Sequence, residues 1–311
     1  MEIPLKLNWK QKKDIPFAMW YYPQAVVVEE KVFMGGGRAP SKLERQNLMV
    51  YDLLLDEWHL LQCGVMWSAM TVLKNQLVLV GGRDANTDKR VSSLRLLKDL
   101  EGKDSQTWSF PFPPMSAARD GATAVVHDNR WLVVIGGWGD DAIDEGELSK
   151  VEIMDTSSKQ WYICAPLPQP CGHISATIIE NMLLLMGGFS RSRSSKKVFS
   201  VCVDDLIHEA TSRANTLLGQ SPWCTLPDTP VSFTTALSLN GALLAVGGLQ
   251  DGHEIKTIHL YQPSTKTWVK AGELPIERWQ CACVVLPNGE VFVAGNGDMN
   301  QPEQVDIAVV I

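Results

Sequence analysis

The chain has 311 residues, 45% of them hydrophobic, ample for a large buried core. Its formal net charge of −7 has the wrong sign for a general binder of nucleic acid or anionic membrane. Seven cysteines, an odd number without framework spacing, point to free thiols in a reducing compartment, the cytoplasm or the nucleus. Residues 1–13 are mixed and polar rather than a basic, apolar-cored leader, and no apolar run is long enough to span a bilayer.

Taken in chain order, the predicted elements recur. Six apolar runs rise into glycine: Val32–Gly37, Leu77–Gly82, Leu132–Gly137, Leu183–Gly188, Leu243–Gly248 and Val291–Gly297. Counted between Gly36, Gly82, Gly137, Gly188, Gly248 and Gly297, the steps are 46, 55, 51, 60 and 49 residues. Periods near 50 indicate propellers and related arrays.

One repeat shows the grammar. The alternation of Ile255–Tyr261 predicts a strand with one buried face. Pro263-Ser264-Thr265-Lys266 is turn chemistry, and Trp268 opens a further strand. Gln280–Leu286 begins the next unit, Asn288-Gly289 makes a two-residue hairpin, and Val291–Ala294 runs to the next glycine. Each unit is therefore four short antiparallel strands. The second is apolar throughout, as expected when both its faces are buried. Trp58, Trp108, Trp161, Trp223 and Trp268 follow the glycines at gaps of 20 to 35 residues. The sixth repeat lacks such a tryptophan. Counting from Gly297 to Ile311 and on through Trp9 gives 23 residues, inside that range. The predicted fold is all-β, a six-bladed propeller whose last blade is closed by an N-terminal strand around Trp9. The expected blades are 19–63, 64–115, 116–168, 169–228, 229–275, and 276–311 with 1–15, in a single domain.

The glycine pairs, the third-strand endings (Tyr51-Asp52, Met154-Asp155, Tyr261-Gln262) and the following tryptophans resemble the kelch repeat, six times over the whole chain. The sixth copy departs at Gly295-Asn296-Gly297, and the fourth carries an insertion near Asp205–Ser221. Leu206-Ile207, Ala210 and Leu217-Leu218 in that insertion could form a short helix on the face opposite the binding loops, a tolerated surface addition. The resemblance implies a protein-binding module. Many kelch-like proteins present substrates to ubiquitin ligases, others bind the cytoskeleton, and a minority of the wider superfamily are enzymes.

The residues favour a non-enzyme without metal or cofactor. The five tyrosines and six histidines show no spacing suited to a copper site, as a galactose-oxidase-like enzyme would need. Cys171-Gly172-His173 and Cys281-Ala282-Cys283 read as packing residues on strands. Gly136–Gly139 lacks the Lys-Ser/Thr of a phosphate loop, and the acidic run at Asp140-Asp141 and Glu145–Glu147 reads as solvated surface.

Strand parity puts the loops after each second strand and the links into each first strand on one face. The first set offers Arg38, Arg83, Trp138 with Asp140, Phe189 with Arg191 and Arg193, Gln250 with Asp251, and Asp298 with Met299. The second offers Trp20, Tyr21 and Tyr22, Trp67, Arg119 with Asp120, His173, Phe233, and Arg278 with Trp279. Arginine and aromatic residues dominate binding hot spots, and arginine pairs carboxylate or phosphate bidentately. The expected function is protein–protein interaction, with a short acidic or phosphorylated peptide bound on this face of a monomer. The chosen contacts are Trp20, Tyr21, Arg38, Trp67, Arg83, Arg119, Trp138, His173, Arg191, Phe233, Arg278 and Trp279. A cytoskeletal scaffold is the alternative.

Overall fold

A computed structural model describes residues 5–16, 22–35, 46–99, 107–140, 146–191, 193–212, 221–295 and 304–310. Its six four-stranded antiparallel sheets form a six-bladed β-propeller. The innermost strands are Gln24–Val28, Ala69–Leu73, Thr123–His127, Ser175–Ile179, Thr235–Leu239 and Ala282–Val285, for blades 1 to 6 in order. Together they line a central cavity of about 360 Å³.

The second strands carry the core on both faces. In blade 2, Leu77 and Leu79 pack toward blade 1, whereas Val78 and Val80 pack toward blade 3. Alternate residues point to opposite faces, so an unbroken apolar strand feeds two seams at once. The glycine pairs then let neighbouring blades approach. Gly81 and Gly136 have φ +62° and +58°, and a Cβ there would sit 2.5 Å from Arg119 O and 2.2 Å from Cys171 O of the next blade.

The ring closes as expected. Leu7–Gln11 pairs antiparallel with Val305–Val310 as the outer strand of blade 6, with Trp9 opposite Ala308. A second pattern supports the closure. In every blade the recurring tryptophan of the outer region donates its indole N–H to a backbone carbonyl at the end of the preceding blade. The pairs are Trp58 to Lys13 (2.9 Å), Trp108 to Gln62 (2.7 Å), Trp161 to Pro113 (3.0 Å), Trp223 to Ala165 (3.2 Å), Trp268 to Pro227 (3.1 Å) and Trp9 to Glu273 (2.9 Å). Trp9 thus does in blade 6 what the other five do in theirs.

The insertion of blade 4 is more than a surface addition. Its helix spans Val203–Thr211, with Val203 and Leu206 fully buried. Together with Ile207 and Ala210 they form a 3, 4, 7 stripe that seats in the core between blades 3 and 4. The Asn181 amide donates to Asp204 at 2.7 Å, which fixes the helix on the hairpin side of the propeller, opposite the glycine loops. Leu217 and Leu218 lie outside the described residues.

Candidate partner-binding face

The innermost strands are entered in one repeated way. Two residues before each lies a residue in the left-handed region: Tyr22 (φ 58°), Trp67 (53°), Gly121 (59°), His173 (48°), Phe233 (54°) and Gln280 (51°). These six positions ring the mouth of the central cavity. Backbone bonds of 2.9 Å link Gly121 N–H to Trp67 O, His173 N–H to Gly121 O, and Gln280 N–H to Phe233 O.

Aromatic rings gather on this mouth. Tyr22 stacks on His173 with centroids 3.8 Å apart and planes 9° apart, and meets Phe189 and Phe233 edge-on at 5.7 and 6.4 Å. Phe233 touches Phe189 at 5.0 Å and Trp279 at 5.5 Å, and Trp138 backs His173 at 4.6 Å. Trp138 fits because Gly121 and Gly172 carry no side chain under it. All these rings are partly exposed. Burial alone pushes the His173 imidazole down to about 3, so it is neutral at physiological pH.

The arginines behave differently from the aromatics. Arg119 and Arg278 were expected as partner contacts, but both are completely buried. Arg119 pairs with Glu152 and donates to Gly136 O and Lys150 O at 3.3 and 3.2 Å. Arg278 repeats the pattern in blade 6, pairing with Asp306 at 2.8 Å and donating to Gly295 O and Gln304 O at 2.6 and 2.9 Å. Both precede the ring position by two residues, where the other described blades bury Val65, Cys171 and Val231. They tie the entering chain to its own blade and cannot meet a partner.

Arg83 lies 5.3 Å over the Trp67 ring, but its charge is engaged by Asp120 at 2.8 Å and Asp88 at 3.6 Å. Arg90, which sequence inspection missed, pairs with Asp120 and Asp140 on the same side. Arg191 and Arg193 are exposed on the Phe189–Ser194 hairpin. Of the remaining expected contacts, Trp67, Trp138, His173, Phe233 and Trp279 reach the mouth, whereas Trp20, Tyr21 and Arg38 lie outside the described residues. Asp298 and Met299 also lie outside them. Gln280 escaped sequence reading. Its side chain is 9% exposed, and neither amide atom has a hydrogen-bond partner. Aligning the six strand entrances, rather than choosing residue types, would have found it.

The buried thiols are held in the protonated, unreactive form. Burial raises Cys171 and Cys164 to about 12 and Cys63 to about 11. Among the described residues no group of three or more His, Cys, Asp or Glu side chains is arranged to hold a metal ion. Nor is any helix among them long and apolar enough to cross a membrane.

This architecture, with its repeated glycine turns and inter-blade tryptophans, is that of a kelch propeller. Residues 67–297 match the family model described as the KLHDC2/KLHL20/DRC7 Kelch-repeats domain, and the chain belongs to the kelch-repeat family. It is 25% identical to Kelch-like protein 25 of Xenopus tropicalis over 284 residues, covering 87% of this chain and 44% of that protein. It is 27% identical to Acyl-CoA-binding domain-containing protein 5 of Arabidopsis thaliana over 252 residues, 76% and 36% of the two chains. Alpha-scruin of Limulus polyphemus is 25% identical over 300 residues, 91% and 31%. The chain thus spans less than half the length of these relatives.

Proposed function

We propose that the propeller is a protein-interaction module whose loop face binds a partner protein through the aromatic cluster at the cavity mouth. The observation that carries this is the contiguous, partly exposed set Trp138, His173, Tyr22, Phe189, Phe233 and Trp279. Rings of this kind supply large contact area at low conformational cost, and they dominate the energetics of interfaces. The acidic or phosphorylated peptide suggested by the arginines draws support only from exposed Arg191 and Arg193, because Arg83 and Arg90 are already engaged by aspartates. All seven cysteines are free, in keeping with a cytoplasmic or nuclear site of action. Recognition of substrates for a ubiquitin ligase and assembly on a cytoskeletal scaffold are both forms of this activity. The identity of the captured partner separates them.

The test is affinity capture from the native cell with intact protein, a Phe233→Ala/Trp279→Ala variant and an Arg191→Glu/Arg193→Glu variant. Loss of one hot-spot ring weakens capture by roughly 30-fold. Charge reversal should give a smaller, salt-dependent loss. Capture that survives the aromatic variant unchanged would refute the aromatic face as the binding surface.

A further inference from the structure

Among the four seams whose glycine pairs are described, one is built differently from the other three. At seams 2/3, 3/4 and 5/6 the second glycine of the pair donates to the next blade: Gly82 to Arg119 O at 2.8 Å, Gly137 to Cys171 O at 2.9 Å, Gly248 to Arg278 O at 2.8 Å. The same seams carry the bonds between consecutive ring positions. At seam 4/5 both are missing: no backbone bond joins Gly188 to Val231 or Phe233 to His173. The chains also stand further apart at the glycine turn there. A Cβ at Gly136 or Gly247 would overlap the neighbouring carbonyl, whereas one at Gly187 would find its nearest atoms at 3.8 Å. Among the described residues, the buried cluster at this seam (Leu184, Met186, Val198, Ala236, Leu243, Ala245, Tyr261) is the smallest of the six.

What fills the mouth of this seam is a ring from the far side of the propeller. Tyr22 belongs to the approach to blade 1, diametrically opposite blade 4. Its phenol lies flat on His173 of blade 4 and edge-on to Phe189 and Phe233, on either side of the seam. His173 is held from behind by Trp138, itself seated over Gly121 and Gly172. Tyr22 and His173 also line the central cavity, so the stack roofs it.

We propose that the mouth of seam 4/5 is an aryl-binding cleft, walled by His173, Phe189 and Phe233, that receives a tyrosine or phenylalanine side chain of the partner, and that Tyr22 occupies it as an internal stand-in until the partner displaces it. The geometry of Tyr22 shows what the cleft accepts: a flat ring stacked at van der Waals distance on a neutral imidazole, with two further rings meeting its edges. Every wall is uncharged, which suits a neutral aromatic group and not a carboxylate or phosphate. An internal occupant also sets the partner's apparent affinity, since only the fraction of molecules with Tyr22 withdrawn is competent to bind. This inference rests on the loop-face reading above and adds the chemistry of the anchor.

The test uses p-cresol, the tyrosine side-chain analogue, titrated into the whole chain while the His173 imidazole protons are followed by NMR. Tyr22→Ala vacates the cleft and is expected to bind p-cresol at least tenfold more tightly than the wild type, with ring-current shifts at His173. Adding Phe233→Ala should remove that gain. Equal affinity in wild type and Tyr22→Ala, or p-cresol shifts that bypass His173, would overturn the proposal. Should Tyr22→Ala fail to fold, Tyr22→Leu keeps bulk without stacking, and the same two outcomes decide. Failed p-cresol binding with Phe233-dependent partner capture intact sinks the cleft alone. Lost dependence of capture on Phe233 and Trp279, with p-cresol binding intact, sinks the loop-face function and leaves the cleft.

Discussion

The two seams that flank blade 5 are made from equivalent positions and are held in opposite ways. At seam 5/6 Gly248 and Gln280 bond across to Arg278 and Phe233, and Arg278 is anchored in blade 6 by Asp306 and two carbonyls. At seam 4/5 the matching residues are Val231 and Phe233, those two backbone bonds are absent, and aromatic packing at the mouth takes their place. A closed ring does not need every seam to be equally tight, because closure through Leu7–Gln11 already prevents the blades from separating at an edge. That leaves one seam open to specialisation, and it is the seam where the exposed rings gather.

The largest expected effect lies at the rigid seam. Asp306→Ala leaves Arg278 buried without its counter-charge and should cost about 3–5 kcal/mol in urea unfolding. Glu152→Ala should do the same to Arg119. Replacing the pair together, Arg278→Met with Asp306→Leu, should recover most of the loss, because the penalty is the uncompensated charge rather than the missing attraction. Single substitutions costing less than about 1 kcal/mol would mean that the anchor does not distinguish the two seams.

Alanine at the first glycine of each pair probes the spacing directly. Gly247→Ala adds a Cβ that overlaps the Arg278 carbonyl at a φ of +59°, and should cost roughly 2–5 kcal/mol from left-handed strain plus overpacking. Gly187→Ala has φ +71° but open space to 3.8 Å, so only the strain of about 1–2 kcal/mol remains. Thermal unfolding of the two variants side by side measures the difference. Equal losses would show that seam 4/5 is packed as closely as seam 5/6.

The blade pattern was legible in sequence because its markers are strong local constraints that recur: glycines at positive φ in blades 2 to 6, and tryptophans whose indole N–H must find a carbonyl. Trp9 could be assigned to blade 6 by counting alone. The binding face was legible only in part. Arg119 and Arg278 read as partner contacts on the loops, beside Asp120 and Trp279, yet they fall two residues before the left-handed ring position, where every described blade buries its side chain. Their partners Glu152 and Asp306 sit inside the third strands, about thirty residues downstream, and nothing local announces such a pair. The stacking of Tyr22 on His173 was invisible for the same reason: it joins opposite sides of a ring whose diameter the sequence does not express. The helix at Val203–Thr211 was visible as a stripe, but not its seat in the core.

The smallest effect is set by pH, and it singles out the softer seam because the described ring positions elsewhere carry no imidazole. Burial holds His173 near 3 in the folded protein, against about 6.5 when unfolded. The neutral ring is therefore stabilised by folding. Above 6.5 neither state binds the proton, and stability is unaffected. As pH falls below 6.5 the unfolded chain takes up a proton that the folded chain refuses, so stability declines toward pH 3. At pH 5.5 the loss attributable to this one group reaches about 1.4 kcal/mol if the ring stays fully shielded, and less if solvent reaches it. His59 and His259 are also pushed down by burial, so the wild type alone does not isolate the effect. His173→Phe does. Urea unfolding at pH 7.5 and 5.5 should show a smaller acid loss in that variant than in the wild type, because every other titrating group, including Glu209, whose carboxyl burial pushes up, is common to both proteins and cancels in the comparison. An identical acid loss in both proteins would place the His173 imidazole in solvent, and with it the ring that Tyr22 was inferred to cover.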